Sequence, residues 1–262
     1  MKHHFKVIFN LVRASSMGLL EYRADFVSMA IVRMFESIVS FLLILVIFTQ
    51  ISEIAGWNRY QMLIVNLSFT LIHSMAMFFF RLGGKEFATN LNKGNIDKYL
   101  TKPVNLQIHV SVGGLDWSQI LRILGSVGAI IFITSLAVQK PGITDILLFV
   151  LLVIASVITY YSLAFIFTSI VLFGGRIRNI LFLTQILWDI GKMPTSIFNS
   201  GWQVIFATIL PVWMAATLPA GVFTGKYGPV YTVYGITIGL FFLFLSHLIL
   251  KIALRHYSSA SS

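Results

Sequence analysis

Long apolar segments dominate this sequence, and they constrain its fold more than any other feature. Several of them approach or exceed the roughly 20 residues that an α-helix needs to cross a bilayer. Hydrophobic residues make up 57% of the 262 residues and charged residues only 11%, against roughly 25% charged residues in soluble domains. One soluble core cannot bury this much apolar surface, so the composition predicts an integral membrane protein. The low charge excludes a disordered chain and a nucleic-acid-binding domain.

The apolar segments predict an all-α, polytopic membrane protein with about six transmembrane helices, in one domain that covers residues 1–262. The predicted spans are Phe26–Ile51, Tyr60–Phe80, Gln119–Val138, Ile146–Phe173, a loosely bounded segment from Ile180 to about Asp189, and Val230–Leu254. The longest polar stretch runs from Arg81 to about Trp117. It is too short for a soluble ATPase domain.

The first 25 residues favour an amphipathic helix that lies in the cytoplasmic interface of the membrane. Apolar and polar side chains would occupy different faces of this helix: Phe5, Ile8, Phe9 and Val12 on one, and Lys6, Asn10 and Arg13 on another. The alternative is the ordinary basic start of a first membrane span. No clean small-residue cleavage site follows, so the segment is predicted to be retained.

Residues 192–229 are apolar, but they do not form a simple span. Pro211 interrupts the segment once, and Pro219 and Gly221 interrupt it again. Each piece is too short to cross about 30 Å of hydrocarbon. The segment therefore predicts either one kinked span or a re-entrant helical hairpin on the extracellular side, because broken backbone at membrane depth must face protein or water.

The distribution of positive charge favours the hairpin. The net charge is +10, and cytoplasmic segments of membrane proteins are enriched in lysine and arginine. With six spans and a hairpin, both termini are cytoplasmic and most lysines and arginines lie inside. A full crossing by Trp202–Pro219 would move Lys251 and Arg255 to the outside. The expected location is the cytoplasmic membrane.

No enzymatic motif is recognisable, so we expect no catalytic residue in this chain. Gly83-Gly84-Lys85-Glu86 lacks the glycine spacing and the hydroxyl residue of a phosphate-binding loop. The six histidines are scattered and there is no cysteine, so neither a metal site nor a thiol nucleophile is predicted.

A few ionisable residues fall within predicted spans, where isolated charge is costly. Arg33 and Glu36 lie one turn apart and predict an intramembrane pair, which could be structural or could line a polar path. Asp189 and Lys192 predict a second, structural pair. His73 is interpreted as a hydrogen-bonded packing residue.

Small residues at helical spacing predict close helix contacts. Gly235 and Gly239 share one face of the last span, and Gly125 and Ala129 share one face of the third. Such spacing lets two backbones approach closely, although it is common in apolar helices.

The segment 81–118 carries the densest mixture of charged and apolar residues. Phe87 and Leu91 are one turn apart and predict a short amphipathic helix, which Gly94 could end. Pro103 could open the next helix. Two short amphipathic pieces on a cytoplasmic loop could dock a soluble partner, or the loop could simply contact lipid headgroups.

Within this segment, residues 93–103 resemble a motif of the ABC type 2 permease family, the membrane subunits of ATP-binding-cassette exporters. They read Lys-Gly-Asn-Ile-Asp-Lys-Tyr-Leu-Thr-Lys-Pro. The entry to the first span at Glu21–Phe26, the prolines at 194, 211 and 219, and the C-terminal tail at Leu254–Ala260 are also similar to that family.

The resemblance implies a partnership with separate ATPase subunits, which would hold the ATP and magnesium; none is expected in this chain. It also implies a second permease, either an identical copy or a sister protein, with the first and fifth spans at the dimer interface. The residues that it implies for ATPase contact are Lys85, Glu86, Phe87, Leu91, Lys93, Gly94, Asp97, Tyr99 and Leu100.

Two other functions are compatible with the residues alone. The chain could be a secondary transporter driven by an ion gradient, with Arg33, Glu36 and Asp189 as coupling groups. It could also be a membrane scaffold that transports nothing. For a transporter, the sequence leaves lipid, peptide, antibiotic and polysaccharide substrates open.

Overall fold

The structure is a computed structural model that describes residues 7, 9–13, 15–16, 23–92, 105–137, 140–170 and 185–255. Its helices are α1 (Arg23–Ile47), α2 (Arg59–Asn92), α3 (Leu106–Gly113), α4 (Ile120–Ser135), α5 (Ile143–Ile170), α6 (Ser200–Thr208), α7 (Thr217–Phe223) and α8 (Val230–Arg255). Short 3₁₀ segments occupy Trp117–Gln119, Thr195–Ile197 and Val212–Ala215. Residues 185–190 are also helical.

In these ranges, five segments are long and apolar enough to cross a membrane. They are Ala24–Ile47, Arg59–Phe80, Trp117–Ser135, Ile143–Ile170 and Val230–Arg255. They match five of the six predicted spans, and the chain is an all-α polytopic membrane protein. The predicted fifth span falls mostly on residues 171–184, which lie outside the described residues, so a sixth span stays a prediction.

Helix α2 is the central helix of the bundle. From Met62 to Ile72 its residues are buried on every side, which is how a helix that is apolar all round is stabilised. It packs against α1, α3, α4, α5 and α7. Helix α1 lies at the periphery, and its large apolar side chains such as Phe35 and Val46 are more than 60% exposed on the isolated chain.

A tight β-hairpin joins α1 to α2. Strand β1 (Glu53–Ile54) pairs antiparallel with β2 (Trp57–Asn58), and Ala55 and Gly56 form the turn with φ of 48° and 76°. Positive φ at both turn positions is typical of a type I′ turn. Lys226 reaches this hairpin, donates to the Gly56 carbonyl and lies 4.9 Å from the centre of the Trp57 ring.

The apolar segment before α8 is broken into short helices, as its prolines predict. Helix α6 ends before Pro211, and α7 has seven residues. At 1.5 Å per residue neither helix can cross the bilayer. However, Pro219 and Gly221 do not interrupt a helix as predicted, because both lie within α7. Pro219 is the third residue of that helix, where the backbone N–H has no intrahelical acceptor to lose.

Helix α7 is buried along its whole length, between α2, α5 and α8. The structure therefore surrounds a very short helix with protein. Whether α6 and α7 enter and leave on the same face of the membrane stays a prediction.

The predicted interfacial helix lies only partly within the described residues. Residues 9–13 are helical, and the Phe9 side chain is exposed. The Ser15 hydroxyl accepts a hydrogen bond of 3.1 Å from the Leu115 backbone N–H. This bond ties the N-terminal segment to the turn after α3.

The predicted glycine contact is confirmed between α5 and α8, the most extensive helix pair. A Cβ atom at Gly239 would lie 3.1 Å from the backbone oxygen of Ala155. A Cβ at Gly235 would lie 2.4 Å from a methyl group of Leu152. In α4, by contrast, Gly125 faces only the flexible Met34 side chain.

We expect Gly239→Leu to separate α5 from α8 and to destabilise the protein by about 1–3 kcal/mol, the typical cost of overpacking. The melting temperature in detergent measures this effect. Gly128→Leu in α4 is the matched control, because nothing lies within 4 Å of a Cβ at that position. Equal melting temperatures for the two variants would contradict the close contact.

Candidate functional site

Helix α2 extends well beyond the membrane span. The sequence predicts a separate amphipathic helix after Phe80, but α2 continues without a break to Asn92. The Gly83-Gly84 pair lies within this helix. Gly84 makes room for the Phe80 side chain. A Cβ there would lie 2.5 Å from the Phe80 ring, so glycine lets this ring pack against its own helix.

The predicted loop 81–118 is also mostly helical. Helix α3 follows at Leu106–Gly113, capped by the Asn105 side chain, which accepts from the Gln107 backbone N–H at 2.9 Å. Residues 93–104 lie outside the described residues and separate α2 from α3. We call this segment the 93–104 connection.

Phe87 is a core residue. Its side chain is 0% exposed and joins a cluster with Phe80, Leu106, Val110, Ala164, Phe165 and Leu250. The centres of the Phe87 and Phe165 rings are 6.4 Å apart. The structure therefore places Phe87 in the packed interior of the chain, and its direct contact with an ATPase subunit stays a prediction.

The other predicted contact residues have different positions. Lys85 and Glu86 are exposed on the same helix. The Leu91 side chain and five further residues lie outside what the structure describes: Lys93, Gly94, Asp97, Tyr99 and Leu100.

Helix α3 is held against the bundle by polar contacts as well as by the cluster. The Gln107 side chain donates to the Ser246 hydroxyl of α8 at 3.2 Å. The Ser111 and Tyr161 hydroxyls are 2.7 Å apart, and Tyr161 also donates to the Gln107 carbonyl. The chain that leaves the 93–104 connection is therefore attached to both α5 and α8.

Arg33 forms an ion pair, but not with the predicted partner. Its guanidinium is 3.0 Å from the carboxylate of Asp116, and it also donates to the Ser118 hydroxyl. Arg33 and Asp116 are both buried. Glu36 is exposed on α1 and acts electrostatically on Arg122 of α4. The predicted Arg33–Glu36 pairing is therefore wrong.

Hydrogen bonds to neighbouring backbone and side-chain groups hold Asp116 in this position. It precedes the 3₁₀ turn at Trp117–Gln119, and its backbone N–H donates to the Phe78 carbonyl of α2 at 2.9 Å. The Gln119 amide also donates to its carboxylate at 3.4 Å. Sequence reasoning missed Asp116. The available signal was a single acidic residue among uncharged ones at the start of the third span.

The second predicted pair is confirmed. The Lys192 ammonium lies 2.6 Å from the Asp189 carboxylate, and both side chains are about half exposed. Exposed pairs are screened by solvent and contribute little to stability.

His73 packs among aromatic rings, as predicted, but its Nδ1 has no hydrogen-bond partner in the described part of the chain. The ring stacks on Phe69 at 5.5 Å and meets Trp188 edge-on at 4.7 Å. Trp188 in turn stacks on Tyr160 at 4.0 Å. Within the described residues, no group of three or more His, Asp or Glu side chains could hold a metal ion.

The two ion pairs provide a matched comparison. Replacing Asp116 by Asn leaves Arg33 as an uncompensated buried charge, and we expect a loss of about 3–5 kcal/mol in stability. Asp189→Asn makes the same chemical change at the exposed pair, and we expect less than about 1 kcal/mol. Melting temperatures in detergent measure both. Similar losses in the two variants would show that the Arg33–Asp116 pair is not buried as described.

The sequence matches the family described as ABC-2 family transporter protein over residues 34–261. Comparisons with curated proteins and with solved structures found no match. The matched region begins within α1 and includes α2 to α8, the 93–104 connection and the Asp116 turn. The chain belongs to the ABC-2 family of transporter proteins.

Proposed function

We propose that this chain is the transmembrane subunit of an ATP-binding-cassette exporter in the cytoplasmic membrane, driven by separate ATPase subunits that bind ATP and magnesium. A second permease, identical or a sister protein, completes the membrane part. Family membership supports the transporter role. The export direction, the ATPase partner and the dimer belong to the proposal.

One observation supports the ATP-driven mechanism most directly. The residues on both sides of the 93–104 connection enter the same hydrophobic cluster, Phe87 from α2 and Leu106 from α3. Phe165 of α5 and Leu250 of α8 complete the cluster. A displacement of the connection by a bound ATPase would therefore reach three membrane helices through one packed unit.

Packed cores respond to such a displacement by switching between discrete arrangements rather than by deforming continuously. ATP binding can select one arrangement only if the ATPase contacts differ between the two. The exposed Lys85 and Glu86 lie on the last turns of α2, beside the connection, where such contacts would form.

The gradient-driven alternative has less support. Arg33 is neutralised by Asp116, and Asp189 by Lys192. Its third proposed coupling group, Glu36, is exposed and has no ion pair within 4 Å among the residues that the structure describes. No specific observation favours a scaffold.

The orientation of the chain can be tested by labelling, because the sequence contains no cysteine. We expect a single cysteine at Glu53 to react with an impermeant thiol reagent from outside the cell. A single cysteine at Lys85 should react only after the membrane is opened. Both positions are exposed at opposite ends of the bundle. Labelling of both from the same side would contradict this topology.

Coupling can be separated from assembly with two groups of variants in the purified transporter complex. Tyr99→Ala and Leu100→Ala remove candidate anchors, and a lost anchor typically costs about 2 kcal/mol, roughly a thirtyfold loss of ATPase affinity. Lys98→Ala in the same segment is the control, since a charge that solvent screens typically contributes little to affinity.

Phe87→Leu should act differently. We expect the ATPase subunit to co-purify normally, while ATP hydrolysis by the complex loses its dependence on the permease. Phe79→Leu is the matched control, because Phe79 lies on the same helix and is exposed. If all of these variants assemble and hydrolyse ATP like the original complex, the 93–104 connection is not the coupling element.

A further inference from the structure

A large cavity opens at the end of the bundle opposite the 93–104 connection. Its volume is about 940 Å³, within the range of ligand-binding sites. It lies between the start of α2, the end of α4, the start of α5 and the end of α7. The walls include Arg59, Leu63, Ile133, Asp145 and Phe223.

One part of this cavity is cationic. Arg59 and Lys140 both line it, and both are exposed. Neither has an ion-pair partner among the described residues. Asp145 is the acidic residue in the lining, and its carboxylate accepts from the Gly142 backbone N–H at 2.8 Å. That bond is the reciprocal half of a capping box at the start of α5. The carboxylate keeps its charge, so the two cations and one anion of the lining leave a net charge of +1.

The other part is apolar. Leu63 and Phe223 are buried residues of its lining, and Ile133 of α4 lines it together with Leu136 and Ala137, which follow that helix. Leu136 is 68% exposed and Phe132 is 62% exposed. Apolar side chains therefore line the cavity and also face outward near the end of α4, which belongs to a candidate membrane span.

We infer that this cavity binds a phospholipid with a net anionic headgroup. Its phosphate contacts Arg59 and Lys140, and its acyl chain lies against Leu63, Ile133 and Leu136 before following α4 into the bilayer. The arginine fork matches phosphate geometry in two bonds and the lysine adds a point charge. A free phosphate would leave the apolar wall unused, and a neutral hydrocarbon would leave the two cations unused.

The cavity is independent of the ATPase partnership proposed above, so its test does not depend on assembly. The full chain is purified in detergent with a single cysteine in place of Ser52, which lines the cavity. A fluorophore is attached to this cysteine. Brominated phosphatidylglycerol quenches a fluorophore on contact, and brominated phosphatidylcholine is the zwitterionic comparison.

We expect phosphatidylglycerol to quench at a concentration at least tenfold lower than phosphatidylcholine. The double variant Arg59→Gln with Lys140→Gln should remove this preference. Each cation is expected to contribute about fivefold to the affinity for phosphatidylglycerol. Lys251→Gln with Arg255→Gln is the control that removes two exposed charges at the other end of α8. It should keep the preference.

Three results would overturn the inference. They are equal quenching by the two lipids in the original chain, a preference that survives loss of Arg59 and Lys140, and displacement of phosphatidylglycerol by millimolar inorganic phosphate. The last result would show a site for a free anion rather than for a lipid.

Discussion

Hydrocarbon offers no hydrogen-bond partner to the backbone, and the rest of the structure depends on this constraint. Long helices satisfy it alone, and α1, α4, α5 and α8 can therefore face lipid. Helix α7 cannot, because its short length leaves many terminal N–H and C=O groups exposed. It is accordingly enclosed by α2, α5 and α8. The broken segment fits in the membrane protein because the long helices α2, α5 and α8 surround it.

The cluster around Phe165 links the packed bundle to the segment that we propose as the ATPase contact. Side chains from α2, α3, α5 and α8 meet there, so the helices on both sides of the 93–104 connection are packed into the bundle. Earlier in α8, Gly239 lets the helix lie so close to α5 that a Cβ atom there would be 3.1 Å from the backbone oxygen of Ala155. Movement at the cluster would therefore carry α5 and α8 together, since close-packed pairs transmit displacement with little deformation.

Much of this arrangement could be predicted from the sequence, because it depends on segment length and local spacing. The five spans, the Gly235–Gly239 contact and the Asp189–Lys192 pair are all local patterns. The Arg33–Asp116 pair is not local, since 83 residues separate its members and only the packing of α1 beside the Asp116 turn brings them together. The extension of α2 was missed because the apolar run ends at Phe80 and a polar stretch begins at Arg81. The helix continues through Gly84, and the Phe80 ring uses the space that this glycine leaves. Phe87 was assigned to a surface because helical spacing identifies an apolar face without saying what covers it.

The separation of Arg33 and Asp116 along the chain also has a consequence for biosynthesis. The ribosome makes α1 long before it makes Asp116, so Arg33 enters the membrane without its counter-ion. An arginine at the centre of a span disfavours insertion by roughly 2.5–3.5 kcal/mol, and α1 must overcome this with its own apolar residues. Leu42, Leu43, Ile44, Leu45 and Val46 lie near the end of the same helix. The ion pair can form only when the third span arrives. Its formation thus marks a late step in which α1, already in the bilayer, is recruited to the bundle.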